Sequence, residues 1–239
     1  MFDPANGDIY WSNFDNGTVS VISSSTNKVV SSVRVGAAYV EPWPPLLNPQ
    51  NGDIYVPMAS ADFVVVISGA TNTVVANFTI GEGVFSGMAF DPANGDVYLT
   101  NDVGQVLIIS GRTNTVVGTL VLNFGTTCDP MREIPQDIPC SQAQDGPSPP
   151  VFDPANGDIF ISNGGGNTVS VISGATNSLV TNVVVGGGPE TPVLDPANGD
   201  FYVSNWNSNW NSGNGYTVSV ISATTNALVA TVKVGGQPD

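Results

Sequence analysis

Apolar and polar positions recur in the same order five times along the chain. In the first repeat, Asp8 to Asn13 and Thr18 to Ile22 are short segments rich in Ile, Val, Tyr and Thr, and Lys28 to Val35 alternates. β-Branched and aromatic residues in this arrangement favour strands. The segment leading into the next repeat supplies a further strand, and nothing has the apolar spacing of a helix. We therefore predict four antiparallel strands in each repeat.

One nine-residue phrase marks the repeats. Phe2 to Tyr10 returns at Leu47, Phe90, Phe152 and Leu194, and its Asn-Gly pair recurs at intervals of 42 to 45 residues, apart from one interval of 62. Its Asp-Pro-x-Asn-Gly core is turn chemistry, because Pro presets φ, Asp and Asn bond nearby backbone, and Gly accepts a positive φ. A period of about 40 to 45 residues in a strand-rich chain is typical of β-propeller blades.

The strands are apolar on both sides, as in Thr217 to Ile221. A sheet with one face in water would alternate cleanly, whereas a blade packed between two neighbours would not. The predicted fold class is therefore all-β, a single β-propeller domain over residues 1–239 with five blades of four antiparallel strands. The repeats cover about 1–36, 37–81, 82–122, 148–186 and 187–235, with a loop insertion at 123–147.

The two chain ends align with adjoining parts of one repeat. Val234 to Asp239 matches Val185 to Glu190, which leads into a blade, and Met1-Phe2 matches Val193-Leu194. We expect the ends to pair in the first blade and close the ring, which removes free strand edges. The alternative is that the chain is a piece of a longer array of repeats.

The repeat typified by Phe152 to Asn163, Asn167 to Asn177 and Leu179 to Gly186 resembles the YVTN β-propeller repeat. That repeat is common in archaeal and bacterial surface-layer and surface-exposed proteins. The resemblance covers nearly the whole chain outside the insertions and implies a propeller exposed at the cell surface. It implies little about activity, since propellers have many functions. The family usually has more blades than five.

Composition narrows the function classes. Charged residues are only 10% of the chain, and twenty acidic against five basic residues give a formal net charge of −15. Such a surface repels phosphate backbones, so we expect no nucleic-acid partner. No run of about 18 apolar residues occurs, so we expect no membrane insertion. A polarity supplied by Asn, Ser, Thr and Gly suits an extracellular or cell-surface protein.

Cys128 and Cys140 are the two cysteines and lie in one Pro-rich segment without repeats. A disulfide and two reduced thiols are the alternatives, and we favour the disulfide and with it an oxidising compartment. A zinc site needs further ligands, and the chain has no His and no other Cys. We predict no metal and no cofactor.

The irregular connections are all expected at the end of the blades opposite the Asn-Gly turns. They are Ala37 to Leu46, with Glu41 and Trp43, the insertion, and the expanded loop Trp206 to Tyr216. Variable loops on a rigid frame usually carry function. The predicted ligand- or partner-binding residues are Trp206, Trp210, Tyr216, Asn207, Asn209, Trp43 and Glu41. For the Trp206 to Tyr216 loop, the alternative is that its three rings fold inward and cap the propeller.

Carboxylates and sequons give weaker hypotheses. Glu41, Glu82, Glu190, Asp145 and Asp239 fall in connections where paired carboxylates would serve glycoside hydrolysis. Their positions are not equivalent between repeats, so we favour a solvated acidic rim and predict no enzymatic activity. Asn16 and Asn77 match the N-glycosylation sequon.

The leading hypothesis is a non-enzymatic extracellular or cell-surface propeller. It would act in structure or adhesion through self-association or other surface proteins, with assembly into a layer or fibre. The second hypothesis is a carbohydrate-binding module of lectin type that uses the Trp-rich loop, because aromatic faces stack on sugars and amides bond hydroxyls. A glycosidase is the third.

Overall fold

A computed structural model describes residues 1–58, 61–81, 83–122, 146–206 and 217–235. Within these ranges the chain forms twenty strands in five four-stranded sheets. In each sheet the strands are neighbours in chain order and run antiparallel. The all-β prediction and the five blades of four strands are confirmed.

The strands of each blade are short and of similar length. Blade 1 consists of β1 (Phe2–Asp3), β2 (Asp8–Asn13), β3 (Thr18–Ser23) and β4 (Lys28–Arg34). Blade 2 consists of β5 (Leu46–Asn48), β6 (Asp53–Pro57), β7 (Phe63–Ser68) and β8 (Thr73–Thr79). Blade 3 consists of β9 (Phe85–Phe90), β10 (Asp96–Asn101), β11 (Gln105–Ser110) and β12 (Thr115–Val121). Blade 4 consists of β13 (Val151–Phe152), β14 (Asp158–Asn163), β15 (Thr168–Ser173) and β16 (Ser178–Val184). Blade 5 consists of β17 (Val193–Asp195), β18 (Asp200–Asn205), β19 (Thr217–Ser222) and β20 (Ala227–Lys233).

The turn between the first two strands forms as its residues dictate. Asp3 Oδ1 accepts from the backbone N–H of Ala5 at 2.9 Å, and Asn6 Oδ1 accepts from that of Asp8 at 2.8 Å. Gly7 has φ 76°, and its N–H donates to Asp3 O at 2.9 Å. Short polar side chains that bond local backbone, followed by a glycine in the left-handed region, stabilise such a turn. The same phrase therefore gives the same turn in each blade.

The turn between the third and fourth strands depends on asparagine. Asn27, Asn72, Asn114, Asn177 and Asn226 all have φ between 51° and 54°. Asparagine tolerates this left-handed conformation better than most residues. A bulge follows in the outer strand, where Val21 faces Ser31 and Ile22 faces Val29, so that Val30 is left between the pairs.

The chain groups into two compact units, each described by itself. Unit 1 comprises Met1–Phe85, Gly95–Val97 and Ile109–Val117, and unit 2 comprises Ser86–Asn94, Tyr98–Ile108 and Gly118–Asp239. The predicted single domain over residues 1–239 stays a prediction. Ring closure is not confirmed, and residues 236–239 lie outside the described part of the chain.

In unit 1 the core lies between blades 1 and 2. Tyr10, Val19 and Val21 of blade 1 pack with Ile54 and Val56 of blade 2, and all five are fully buried. Side chains on alternate positions of a strand point to opposite faces, so Tyr10 and its neighbours define one face of a blade. We call this the Tyr face. The opposite side, with Ile54 and Val56 in blade 2, is the Ile face.

Unit 2 repeats this packing. Phe160 and Val171 of blade 4 pack with Phe201 and Val203 of blade 5, and the Phe160 and Phe201 rings stack with centroids 3.9 Å apart. In the same unit, Tyr98 packs with residues of the blade 4 Ile face. In each of these contacts, the Tyr face of one blade lies against the Ile face of the next.

Candidate functional site

Each sheet has two ends with different chemistry. Antiparallel order places the Asn-Gly turn and the Asn turn at one end, which we call the turn end. The remaining two connections lie at the other end, the loop end. Glu41, Trp43 and Trp206, the predicted binding residues that the structure describes, all lie on loop-end connections.

At the turn end, hydrogen bonds join one blade to the next. In unit 1, Asn6 Nδ2 donates to Gly69 O at 3.0 Å, and the Tyr10 hydroxyl donates to Asn72 Oδ1 at 2.7 Å. In unit 2, Asn156 Nδ2 donates to Ala223 O at 3.0 Å. The repeated phrase therefore has a second role besides its own turn, because its Asn donates to a carbonyl on the neighbouring blade.

Burial affects the tyrosines of this contact. Burial, with Asp53 nearby, raises the pKa of Tyr55 to about 12, and burial also raises the pKa of Tyr10. The Tyr55 hydroxyl donates to Asn114 Oδ1. These tyrosines are thus neutral and donate hydrogen bonds from one blade to the next.

Trp43 is a packing residue of the loop end of unit 1. Its N–H donates to Pro57 O at 2.9 Å, and its carbonyl accepts from Ser12 Oγ at 2.7 Å. Its ring meets Phe85 edge to face, with centroids 5.5 Å apart and planes at 84°. Trp43 is only partly exposed, and Glu41, on the same connection, is also partly buried.

Tyr39 is the most exposed aromatic side chain of this connection, at 78%. It lies in the left-handed region with φ 67°, which is uncommon for a bulky residue, and its N–H donates to Asp15 O at 3.2 Å. Phe14, in the short 3₁₀ turn that contains Asp15, is 52% exposed. Two exposed rings thus lie on neighbouring connections at the loop end of blade 1.

Reasoning from sequence did not single out Tyr39 or Phe14 as binding residues. The sequence signal that could have indicated them is an aromatic residue in each of two irregular connections, the one after β2 and the one after β4. Exposure and a disfavoured φ were not visible, because the contact with Asp15 joins segments far apart in the chain. Backbone strain of this kind is often found where a side chain is presented to a partner.

Trp206 begins the expanded loop of blade 5 in unit 2. Its N–H donates to Gly188 O at 2.9 Å, and its side chain is 40% exposed. Gly188 has φ 60°, and a Cβ there would lie 2.6 Å from Trp206 O, so glycine permits this close approach. The other predicted residues of this loop, Asn207, Asn209, Trp210 and Tyr216, lie outside the described residues.

Several other predicted features can be placed. Asn16 and Asn77 are both exposed, on a 3₁₀ turn and on the outer strand β8. Cys128 and Cys140 lie outside the described residues, so their disulfide stays a prediction. Of the five carboxylates considered for hydrolysis, Glu41 and Glu190 are described, and the N–H of the exposed Glu190 donates to Ser204 O at 2.9 Å.

Within the described ranges, no group of three or more Asp, Glu, Cys or His residues is arranged to hold a metal ion. A search of the same part of the chain finds no helix with the length and apolar character to cross a membrane.

Comparison with known proteins identifies the fold. No protein-family model matches the chain, and no curated protein matches it in sequence. A chain in the crystal structure of a mitotic checkpoint complex, a WD40-type propeller, is similar with a TM-score of 0.70 and 10% identity. The match covers 98% of this chain and 64% of that one, so this chain spans less than two thirds of its length. Together with the five sheets, this likeness shows an all-β five-blade β-propeller.

Proposed function

We propose that the protein is a non-enzymatic interaction scaffold of the cell surface, with a structural or adhesive role and the capacity to self-assemble. The propeller fold supports the scaffold part, since propellers are common frames for protein binding. The YVTN-like repeat and the low content of charged residues support an extracellular location. The protein's partners are then other surface proteins and further copies of itself.

The observation that carries this proposal is the pair of exposed rings, Tyr39 and Phe14, at the loop end of blade 1. Tyr39 is held in a strained conformation by a backbone bond to Asp15 and still leaves most of its side chain exposed. Aromatic residues are enriched in protein interfaces and supply large contact areas at low entropic cost. A rigid frame that presents them suits adhesion better than catalysis.

Cell binding tests the adhesive role. Beads coated with the wild-type protein and with a Tyr39→Ser, Phe14→Ser variant are incubated with native cells that make the protein. Val117→Ser is the matched control, because Val117 is 56% exposed on the outer strand of blade 3. We expect the double variant to lose most bead attachment and the control to keep it. Equal attachment of all three would refute a role for these rings.

Location is tested separately with antibodies raised against the protein. Labelling of intact cells without permeabilisation is the expected result. Labelling that appears only after permeabilisation would contradict a surface location. Mass spectrometry of the native protein would show whether Asn16 and Asn77 carry glycans, as the sequons predict.

Glycan binding is a second candidate, and it rests on the exposure of Trp206. An exposed indole beside Asn-rich sequence is suited to stacking on a sugar ring. A glycan array with the wild-type protein and with Trp206→Ala, Trp210→Ala separates this function from protein adhesion. Binding that the double variant loses supports the lectin hypothesis, and an array without binding removes it.

A further inference from the structure

Asn16 precedes Gly17 in the connection between β2 and β3, and its side chain is exposed. Within the part of the chain that the structure describes, the side-chain amide of Asn16 has no hydrogen-bond partner. An Asn-Gly pair is chemically reactive, because glycine has no Cβ to shield its nitrogen from the asparagine carboxamide. Asn16 therefore combines a reactive neighbour with a side chain that no hydrogen bond restrains.

The repeated turns contain the same Asn-Gly pair, but there both ends of the asparagine amide are hydrogen-bonded. In blade 2, Asn51 Oδ1 accepts from the N–H of Asp53 at 2.8 Å, and Asn51 Nδ2 donates to Gly111 O at 2.7 Å. Asn51 is exposed, as Asn16 is. Access of water is therefore similar at the two positions, and hydrogen bonding is what distinguishes them.

The backbone nitrogen of the glycine is also held differently in the two settings. In the repeated turn, the Gly52 N–H donates to Asn48 O at 2.9 Å, inside a turn whose side chains are bonded as well. Gly17 comes directly after a 3₁₀ turn of three residues, Phe14–Asn16. Hydrogen bonds in such turns have poorer geometry, and helix ends fray. The Gly17 nitrogen is therefore released more readily than the Gly52 nitrogen.

We propose that Asn16 is a site of spontaneous deamidation and isomerisation. The Gly17 nitrogen loses its proton and attacks Cγ of Asn16, so that a C–N bond forms and the Cγ–Nδ2 bond breaks with release of ammonia. The resulting succinimide takes up water at either of its two carbonyl carbons and opens to aspartate or to isoaspartate. Water is the co-reactant, and nothing is oxidised or reduced. This chemistry does not depend on the function proposed above.

Both neighbours of Asn16 hold the connection that carries Tyr39. The Tyr39 N–H donates to Asp15 O at 3.2 Å, and Gly17 O accepts from the two N–H groups that come directly after β4. Isoaspartate inserts the side-chain methylene group into the backbone between Asp15 and Gly17 and adds a negative charge there. The two carbonyl groups then lose their present spacing, so the reaction loosens the connection that carries Tyr39.

Deamidation and the predicted glycan require the same nitrogen atom. Asn16, Gly17 and Thr18 form a sequon, in which a glycan would be attached to Nδ2 of Asn16. Because deamidation releases this nitrogen as ammonia, a chain that has reacted can no longer be glycosylated at position 16. Protein produced in a host without N-glycosylation is therefore used to test the reaction.

Peptide mapping by mass spectrometry tests the proposal, with samples taken during incubation in a mildly alkaline buffer. Conversion of Asn16 to aspartate and isoaspartate is compared with conversion of Asn51 in the same molecules. In the folded protein we expect Asn16 to react at least about tenfold faster, because the hydrogen bonds of Asn51 must open first. In concentrated urea the two rates should become similar, since both pairs are Asn-Gly. Equal rates in the folded protein would overturn the proposal.

Asn16→Gln is the matched variant, because glutamine keeps the amide but would have to form a larger ring, which is much slower. Hydrogen exchange of the Tyr39 N–H should be faster in aged than in fresh wild-type protein and should stay unchanged when the variant is aged. Reaction at Asn16 without faster exchange at Tyr39 would overturn the loosening of this connection. Neither measurement involves cell binding, so a failure of the adhesive role would leave both results unaffected.

Discussion

Individual residues with unusual backbone conformations hold the connections of this protein in place. Gly17 has φ 61° and lies where the connection between β2 and β3 meets the connection that carries Tyr39. The backbone N–H groups of Val35 and Gly36, which come directly after β4, both donate to Gly17 O, at 2.9 and 3.1 Å. A Cβ at Gly17 would overlap the carbonyl oxygen of Ala37. Position 17 therefore requires glycine for two reasons: the positive φ and the lack of space for a Cβ.

The variant Gly17→Ala should lower the free energy of unfolding by about 2 kcal/mol, since it combines a disfavoured φ with a backbone overlap. Urea unfolding measures the change. Gly235→Ala is the control, because a Cβ there meets nothing within 4 Å and φ is not positive. Equal midpoints for the two variants would mean that the backbone at Gly17 relaxes without loss.

Tyr55 gives a prediction for pH. In the folded protein its pKa is raised to about 12 from the usual 10.0, chiefly by burial. The neutral phenol is therefore favoured by folding, and its contribution to stability is complete below the unfolded pKa and is lost as the pH rises through the folded one. Tyr55→Phe removes both the hydrogen bond to Asn114 and this titration.

At neutral pH, Tyr55→Phe should be about 1 kcal/mol less stable than wild type, the usual value of one buried hydrogen bond. The difference should shrink as the pH rises from about 10 towards 12. Unfolding free energies measured across that range check both points. Tyr202→Phe is the control at neutral pH, since its partner Asn198 is exposed. A difference in unfolding free energy between wild type and Tyr55→Phe that stays constant with pH would contradict the raised pKa of Tyr55.

At the scale of elements, the loop-end connections are of two kinds: some pack their aromatic ring against the blades, and others leave it exposed to solvent. Trp43 is fixed by a backbone hydrogen bond to Pro57, a hydrogen bond from the Ser12 hydroxyl and a ring contact with Phe85, whereas the Trp206 side chain is 40% exposed. Both were predicted to bind a partner from the same signal, an aromatic residue in an irregular connection. The structure distinguishes them by burial.

Replacing each tryptophan by alanine tests this division. Trp43→Ala should destabilise the protein by about 2 kcal/mol, less than the loss of a fully buried ring. Trp206→Ala should change stability by less than about 0.5 kcal/mol, as exposed positions usually do. Thermal or urea unfolding of the two variants side by side provides the comparison. The reverse order of stability would show that Trp206 is the structural ring.

The repeated elements could be predicted because their signals are local. The Asn-Gly turns, the Asn turns and the strands that flank them all follow from turn residues and β-branched runs within about ten positions of each other. The bonds from Asn6 and Tyr10 to Gly69 and Asn72 could not be predicted, since they join residues about sixty positions apart. They became visible only once two blades were placed side by side.

For the whole molecule, sequence predicted the five blades but not which faces are exposed. Trp11 and Tyr202 occupy strand positions that are buried in other blades, so their local pattern is that of core residues. Whether they are exposed depends on what lies against their blade, and no local signal contains that information. Closure of the ring by the chain ends stays a prediction, since residues 236–239 lie outside the described part of the chain.

Cysteine cross-linking inside unit 2 tests most directly that the turn of one blade is joined to the next blade. Asn156 Nδ2 of blade 4 donates to Ala223 O, directly after β19 in blade 5, at 3.0 Å. The double variant Asn156→Cys, Ala223→Cys and each single variant are oxidised mildly, and the disulfides are identified by mass spectrometry of a proteolytic digest. The account predicts an intramolecular disulfide between positions 156 and 223 in the double variant. A folded double variant in which these two positions do not cross-link would contradict it.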